Sequence, residues 1–145
     1  MTLKNLNASG YALLEILIAA IVISFGLLGL AGLQATGLRN NHSAYLASVA
    51  TQLTYDMADR IRGNSGGAYS TASAVDRGAC MMATCSTLAI AEDDLFRWNQ
   101  SVAAALPGGA TLQPTLSNGV YTLTVTWDDK RSGSPTTSFQ TTFQP

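Results

Sequence analysis

Ser9-Gly10-Tyr11-Ala12-Leu13-Leu14-Glu15 is followed by eighteen residues, Ile16 to Leu33, none of which carries a charge. A helix rises about 1.5 Å per residue, so this run spans roughly 27 Å, close to the hydrocarbon thickness of a bilayer. A chain of 145 residues forms one small domain, whose core is too thin to surround a helix that is apolar on every side. The stretch therefore predicts a membrane-spanning helix.

A secretory signal peptide is the alternative reading of this segment. Lys4 supplies a positive start, but the apolar run is long for a signal peptide, and Ala31-Gly32-Leu33-Gln34 is a poor cleavage site. Glu15 also argues against it, because a charged residue at the centre of a membrane helix costs about 2.5 to 3.5 kcal/mol, and less towards its end. Some interaction is expected to offset that cost.

Cleavage after Gly10 would provide such an interaction, because Tyr11 would then carry a free α-amine. An amine of one subunit and Glu15 of its neighbour, about 4 Å apart, attract by on the order of 4 kcal/mol at an effective dielectric of 20, before desolvation is subtracted. Only chains that pack side by side can form this pair. Glu15 is therefore predicted to set the register between subunits.

The segment Gly10-Tyr11-Ala12-Leu13-Leu14-Glu15, with the apolar run behind it, resembles the class III signal of type IV pilins and type II secretion pseudopilins, usually written G-F-T-L-I-E. The chain departs from that pattern at Tyr11 and Ala12, where Phe and Thr are usual. The resemblance implies that prepilin peptidase cleaves between Gly10 and Tyr11 on the cytoplasmic side, that Tyr11 is N-methylated, and that Glu15 acts in assembly.

Three further stretches, residues 23–34, 55–64 and 98–109, are similar to the PilV group of type IV minor pilins. This resemblance implies a minor pilin that joins other minor pilins, primes pilus assembly on the inner-membrane platform and is incorporated with the major pilin at or near the tip, sometimes beneath an adhesin. It also implies a single-pass inner-membrane protein with its C-terminal domain in the periplasm. A minor pseudopilin of a type II secretion system is the alternative within the family.

A membrane-anchored adhesive or DNA-binding module is the alternative hypothesis from another functional class of protein. Eight basic and nine acidic residues give a net charge of −1, which provides no basic footprint for nucleic acid. The sequence after Gly63 contains no histidine, no G-x-S-x-G motif and no phosphate-binding glycine loop. Two acidic runs, Glu92 to Asp94 and Asp128 to Asp129, support a calcium site only weakly. The sequence therefore predicts neither an enzyme, nor a cofactor, nor a metal site.

Helical periodicity continues beyond the apolar run as far as Arg62. Gly63, with Arg60 and Arg62 before it, is typical of a helix C-terminus. Apolar spacing predicts a stripe on this part of the helix that covers a core. The stripe consists of Leu38, His42, Tyr45, Leu46, Val49, Leu53, Met57 and Ile61.

A shorter helix and a sheet are predicted to follow. The spacing of Leu95, Trp98 and Val102 indicates a helix that Pro107-Gly108-Gly109 stops, with the acids Glu92 to Asp94 in its first turn. Alternating residues then indicate three strands. Their ranges are Ala110 to Leu116, Val120 to Trp127 and Thr136 to Phe143. The expected fold class is α+β: a pilin-like lollipop with one long N-terminal helix packed on a small antiparallel sheet and a short extra helix.

The predicted organisation has four parts. Residues 1–10 are a leader that is removed, 11–33 the transmembrane half of the long helix, 34–63 its amphipathic periplasmic half, and 64–145 a periplasmic globular domain. Cys80 and Cys85 are an even pair in a segment expected to be exported, where disulfides persist. They are predicted to form a disulfide, since a metal site would need two more ligands and the one histidine, His42, is far away in the sequence.

Overall fold

The computed structural model describes residues 9–81, 84–130 and 133–145, with side chains from Ala12 onward except at 79 and 81. The elements in chain order are α1 (Ser9–Gly63), a 3₁₀ helix (Gly78–Met81), α2 (Thr87–Ala105), β1 (Ala110–Ser117), β2 (Val120–Trp127) and β3 (Thr137–Phe143). This arrangement confirms the predicted α+β class with a long N-terminal helix, a short extra helix and a small antiparallel sheet.

The chain divides into two compact units, Met1–His42 and Ser43–Pro145. The first unit contains α1 as far as His42, and every described side chain there is exposed. The second unit contains the rest of α1, together with the 3₁₀ helix, α2 and the sheet. All the buried residues of the core belong to this second unit.

The sheet is a three-stranded antiparallel meander in the order β1-β2-β3. A tight turn at Asn118 and Gly119, with φ of 51° and 78°, joins β1 to β2. Asparagine followed by glycine suits this turn because both residues adopt positive φ readily. Along β2 every second side chain is buried. These core residues are Tyr121, Leu123, Val125 and Trp127.

The core lies between α1, α2 and the inner face of β2. From α1 it takes Leu46, Ala50, Met57, Ala58 and Ile61. From α2 it takes Ala91, Leu95, Trp98 and Val102. Trp98 and Trp127 are both almost fully buried in this core.

The predicted stripe on α1 was wrong at three positions, Leu38, His42 and Tyr45, which are all exposed. Leu38 and Tyr45 are 71% and 63% exposed. Each helical residue turns about 100°, so Tyr45 points well away from its buried neighbour Leu46. The prediction followed the large apolar side chains, whereas the structure also buries Ala50 and Thr54, which are less conspicuous in the sequence.

The start of α2 was also predicted wrongly. The helix begins at Thr87, and the side chain of Ser86 accepts a hydrogen bond from the backbone N–H of Ala89, an N-cap interaction. No acidic residue lies in the first turn. Glu92 to Asp94 instead lie inside the helix, where they pair with arginines.

Candidate functional site: an exposed apolar helix with one carboxylate

The first unit presents an apolar helical surface that no other part of the described chain covers. An eighteen-residue window of α1 has a mean hydropathy of 2.6, and none of it is buried. A core helix of a soluble protein would be mostly buried, so this helix is instead a candidate membrane span. A signal sequence near the N-terminus would share these properties.

Hydroxyl groups on this surface are satisfied within the helix itself. Ser24 Oγ donates to the carbonyl oxygen of Ala20 at 2.7 Å, and Thr36 Oγ1 donates to that of Gly32 at 3.0 Å. Polar groups in a bilayer must find partners in the protein, because the hydrocarbon region contains no water. Both side chains are therefore compatible with lipid.

Four glycines of α1, at positions 26, 29, 32 and 37, are not required by packing within this chain. A Cβ atom added at any of them would meet no heavy atom within 4 Å. Small residues on a membrane helix allow a neighbouring helix to approach closely. Their surface is therefore available to another molecule.

The predicted processing site lies at the start of α1. Gly10 and Tyr11 follow Ser9, the first residue of the helix, and their backbones are helical. Their side chains, and residues 1–8, lie outside what the structure describes. Cleavage between Gly10 and Tyr11 and methylation of Tyr11 remain predictions.

Glu15 is the one charged residue from Ala12 to Leu38, and its side chain is exposed. It makes no hydrogen bond or ion pair with any side chain that the structure describes. Its neighbours on the helix surface are apolar, namely Leu14, Ile18 and Ala19. An ionised carboxylate in such surroundings is destabilised unless a cation from elsewhere pairs with it. Residues four apart lie on the same helix face, so Glu15 and Tyr11 share one side of α1.

Most of the charged side chains in the second unit form ion pairs with one another. Arg77 pairs with Glu92 at 2.7 Å, and Arg97 pairs with Asp93 at 2.6 Å. The hydrogen bond from Arg97 lowers the pKa of Asp93, which also accepts a bond from the backbone N–H of Arg77. These contacts, with the bond from Val75 N–H to the Glu92 carbonyl oxygen, hold the segment before the 3₁₀ helix against α2.

The two arginines lie in the last turn of α1, as predicted, and they also make both local and long-range contacts. Arg60 bonds Asp56 at 3.0 Å and Asp94 on α2 at 3.1 Å. Arg62 pairs with Asp59, and its guanidinium lies 4.8 Å from the ring centroid of Phe143. Sequence reasoning missed the contact between Arg60 and Asp94, since nothing in a local pattern identifies a partner 34 residues away.

Cys80 and Cys85 form a disulfide with a Cα–Cα distance of 5.5 Å. Cys85 directly precedes Ser86, the N-cap of α2. The bridge therefore ties the 3₁₀ helix to the start of α2, and its effect is local.

The two acidic runs do not meet. Asp129 Oδ2 accepts a hydrogen bond from Ser43 Oγ at 2.9 Å, and Asp128 Oδ2 accepts one from the backbone N–H of Gly133. Among the described residues, no group of three or more His, Cys, Asp or Glu side chains could hold a metal ion. Asp129 thus connects the loop after β2 to α1, and Asp128 forms a hydrogen bond within that loop.

No family model, no curated protein and no solved structure matches this chain. A functional proposal therefore depends on the residues themselves and on the geometry described above.

Proposed function

We propose that this protein is a minor pilin of a type IV pilus. It joins a complex of minor pilins in the inner membrane, primes pilus assembly and is incorporated at or near the tip. The observation that carries the proposal is the uncovered apolar surface of α1, on which Glu15 is the one charged group before Arg39. A surface of this kind suits a subunit that moves from lipid into a bundle of similar helices.

In this proposal the N-terminal end of α1 supplies both members of an ion pair between subunits. Prepilin peptidase cuts after Gly10, and the N-methylated amine of Tyr11 then pairs with Glu15 of a neighbour. The pair forms at one axial stagger only, because any other stagger leaves charges unpaired in an apolar environment. The exposed glycines of the helix allow the neighbouring helices to approach closely.

The second unit is proposed to lie in the periplasm and to contact other pilins. The Cys80–Cys85 disulfide supports this location, because disulfides persist in oxidising compartments. Its charges are mostly paired with one another, so its surface suits contact with protein better than contact with nucleic acid. The proposal includes no catalytic step.

The alternative, a minor pseudopilin of a type II secretion system, would use the same helix and the same ion pair. We therefore test the two together. The gene is deleted, and sheared surface pili and type II secretion are measured in one culture. Loss of pili with intact secretion supports the pilus role, whereas intact pili with lost secretion assigns the protein to the secretion system. A culture in which neither changes contradicts both proposals.

A further inference from the structure

The outer edge of β3 has no strand partner. β3 is the last strand of the β1-β2-β3 sheet. No backbone hydrogen bond joins residues 137–143 to any described segment other than β2. Alternate residues of an edge strand point their N–H and C=O groups away from the sheet, and such a row of groups is a template for a further strand.

The other edge of the same sheet is protected. The β1–β2 register shifts between Leu112 and Thr115, and Pro114 in the shifted segment is buried. The Gln113 amide donates to the carbonyl oxygens of Tyr69 and Ala72, at 2.8 and 3.0 Å, which holds a loop against β1. A bulge, a proline and a covering loop are the usual means of preventing edge-to-edge pairing.

In the part of the chain that the structure describes, none of these protective features occurs on β3. Its sequence, Thr-Ser-Phe-Gln-Thr-Thr-Phe, contains no charge, no proline and no glycine. Exposed edges generally carry lysine or proline, because an unprotected strand of aromatic and β-branched residues recruits other strands. The chain therefore protects β1 and leaves β3 open.

A second copy of this chain does not fit the open edge by either of two arrangements. Addition of β3 to β1 of the next copy is prevented by the bulge and covering loop at β1. Parallel pairing of two β3 strands about a two-fold axis would join the Phe139 and Phe143 face of one sheet to the Ser138 and Gln140 face of the other, so apolar and polar faces would be mismatched.

Antiparallel pairing of two β3 strands conflicts with the direction of α1. Ser43 contacts Asp129, which lies just after β2 and therefore near the start of β3. Arg62 lies over Phe143, at the end of β3. This part of α1 therefore runs in the same direction as β3. A two-fold axis would place the two Ser43 residues at opposite ends of the joined sheet. Because the apolar segment precedes Ser43 in each chain, the two apolar segments would join the sheet at opposite ends, which is unfavourable for two chains in one membrane under the proposed function.

We propose that the β3 edge accepts an extended, uncharged segment of a different protein subunit as a fourth strand. Backbone hydrogen bonds supply the affinity in this mode of recognition, and alternate side chains supply the selectivity. Beside Phe139 and Phe143 the segment carries apolar side chains, and beside Ser138, Gln140 and Thr142 it carries small polar ones. A charge on the segment would lose solvation and meet no counterion on β3.

A labelled peptide with the β3 sequence, Thr-Ser-Phe-Gln-Thr-Thr-Phe with blocked ends, is a suitable probe because it carries no membrane anchor. Its binding to the full-length protein in detergent is measured by fluorescence anisotropy. The control peptide carries N-methyl groups on its adjacent Phe and Gln residues, whose N–H groups point to opposite edges of a strand. We expect the control to bind at least about tenfold more weakly, because a strand that adds to an edge depends on its backbone donors.

Two matched variants locate the binding edge. Thr142 and Thr115 are both exposed, and both are cross-strand neighbours of Thr122, on opposite edges of the sheet. Thr142→Lys should weaken peptide binding at least about tenfold, since lysine protects edges from pairing, whereas Thr115→Lys should leave it unchanged. Hydrogen exchange of residues 137–143 should slow when the peptide is added.

Several outcomes would overturn the inference. These are absence of binding at millimolar peptide, equal binding of the methylated peptide, and equal effects of the two lysine variants. Light scattering that shows a dimer of the full-length protein, abolished by Thr142→Lys, would assign the edge to a second copy instead. Peptide binding and the deletion phenotype are separate readouts, so failure of the pilus role would not be mistaken for failure of the edge.

Discussion

The hydroxyl group of Tyr69 donates to Asp94 Oδ2 at 2.8 Å and links the loop after α1 to the middle of α2. Tyr69 is fully buried, and its oxygen also accepts a hydrogen bond from the Asn64 amide at 3.1 Å. Arg60 of α1 reaches the other oxygen of Asp94. Burial, together with the bond to Asp94, raises the pKa of Tyr69, so the phenol remains protonated as the donor. Three segments of the second unit therefore meet at one carboxylate.

Tyr69→Phe should lower the free energy of unfolding by about 1 to 3 kcal/mol, because a hydrogen bond to a charged group is lost in a buried place. The measurement is urea unfolding of the full-length protein in detergent, followed by tryptophan fluorescence. Tyr55→Phe is the matched control, since Tyr55 is 52% exposed. Equal stability of the two variants would contradict the structural role of Tyr69.

The pH dependence of stability should be sensitive to Asp93. Its pKa is lowered by the hydrogen bond from Arg97, so the ionised form is favoured in the folded state. A carboxyl with a lowered folded pKa contributes stability above its unfolded pKa of about 4, and this contribution is lost as the pH falls through the folded pKa. Asp93→Asn should therefore be less stable than the wild type at pH 7, and the difference should shrink below pH 4.

Urea unfolding at pH 7 and at pH 3 checks this prediction. Asp59→Asn is the control, because the side chain of Asp59 is 75% exposed in its pair with Arg62. We expect little change in this variant at either pH, since exposed ion pairs contribute about 0 to 1 kcal/mol. A constant difference between Asp93→Asn and the wild type across this pH range would rule out the assigned cause.

Removal of the disulfide should destabilise the protein modestly. The Cys80–Cys85 loop is short, and the chain-entropy relation gives about 2 kcal/mol for a loop of this size. The Cys80→Ala, Cys85→Ala double variant should unfold at lower urea concentration, and reductant should shift only the wild type. If reductant shifted the double variant as well, the effect would not come from this bridge.

Glu15→Gln should abolish complementation of the deletion strain. The substitution keeps the shape of the side chain and removes the charge that is proposed to pair with the Tyr11 amine. Pilus yield, or secretion if the protein serves the secretion system, should fall at least about tenfold, because the unpaired amine is left in an apolar environment. The membrane fraction should contain as much variant as wild type, and Asp59→Asn should complement normally. Full complementation by Glu15→Gln would refute the assembly role.

The mature protein should begin at Tyr11. Intact mass spectrometry of the membrane-extracted chain should give the mass of residues 11–145 plus one methyl group. Gly10→Val should block cleavage, because the peptidase is expected to require a small residue there, and should leave a chain that still carries the leader. A wild-type chain that starts at Met1 would contradict the processing prediction.

Local patterns in the sequence predicted the elements well. Threonine alternating with apolar residues marks β2 as a strand with one buried face, and the observed range Val120–Trp127 agrees with the prediction. The uncharged run after Glu15 likewise predicted an apolar helix. Such features are visible because they depend on neighbours in the chain, through the periods of helix and strand.

The start of α2 and the core face of α1 were predicted wrongly for different reasons. The run from Glu92 to Asp94 suggested a helix start, but these residues form ion pairs with arginines on three segments. The N-cap of the helix is Ser86. Tyr45 fits an apolar period, yet its side chain is exposed and lies outside the core. The core face of α1 depends on partners that are distant in the sequence, whereas the cap of α2 is a local signal that the prediction overlooked.

The sequence by itself determined the apolar helix with its one carboxylate, the strand periods and the pair of cysteines. Only the tertiary structure decided that Asp94 joins Tyr69 to Arg60, that Gln113 holds a loop over β1, and that β3 is left open. The physical reason is that the period of a segment depends on residues within a few positions. Ion pairs, buried hydrogen bonds and exposed edges depend on which segments the fold brings together.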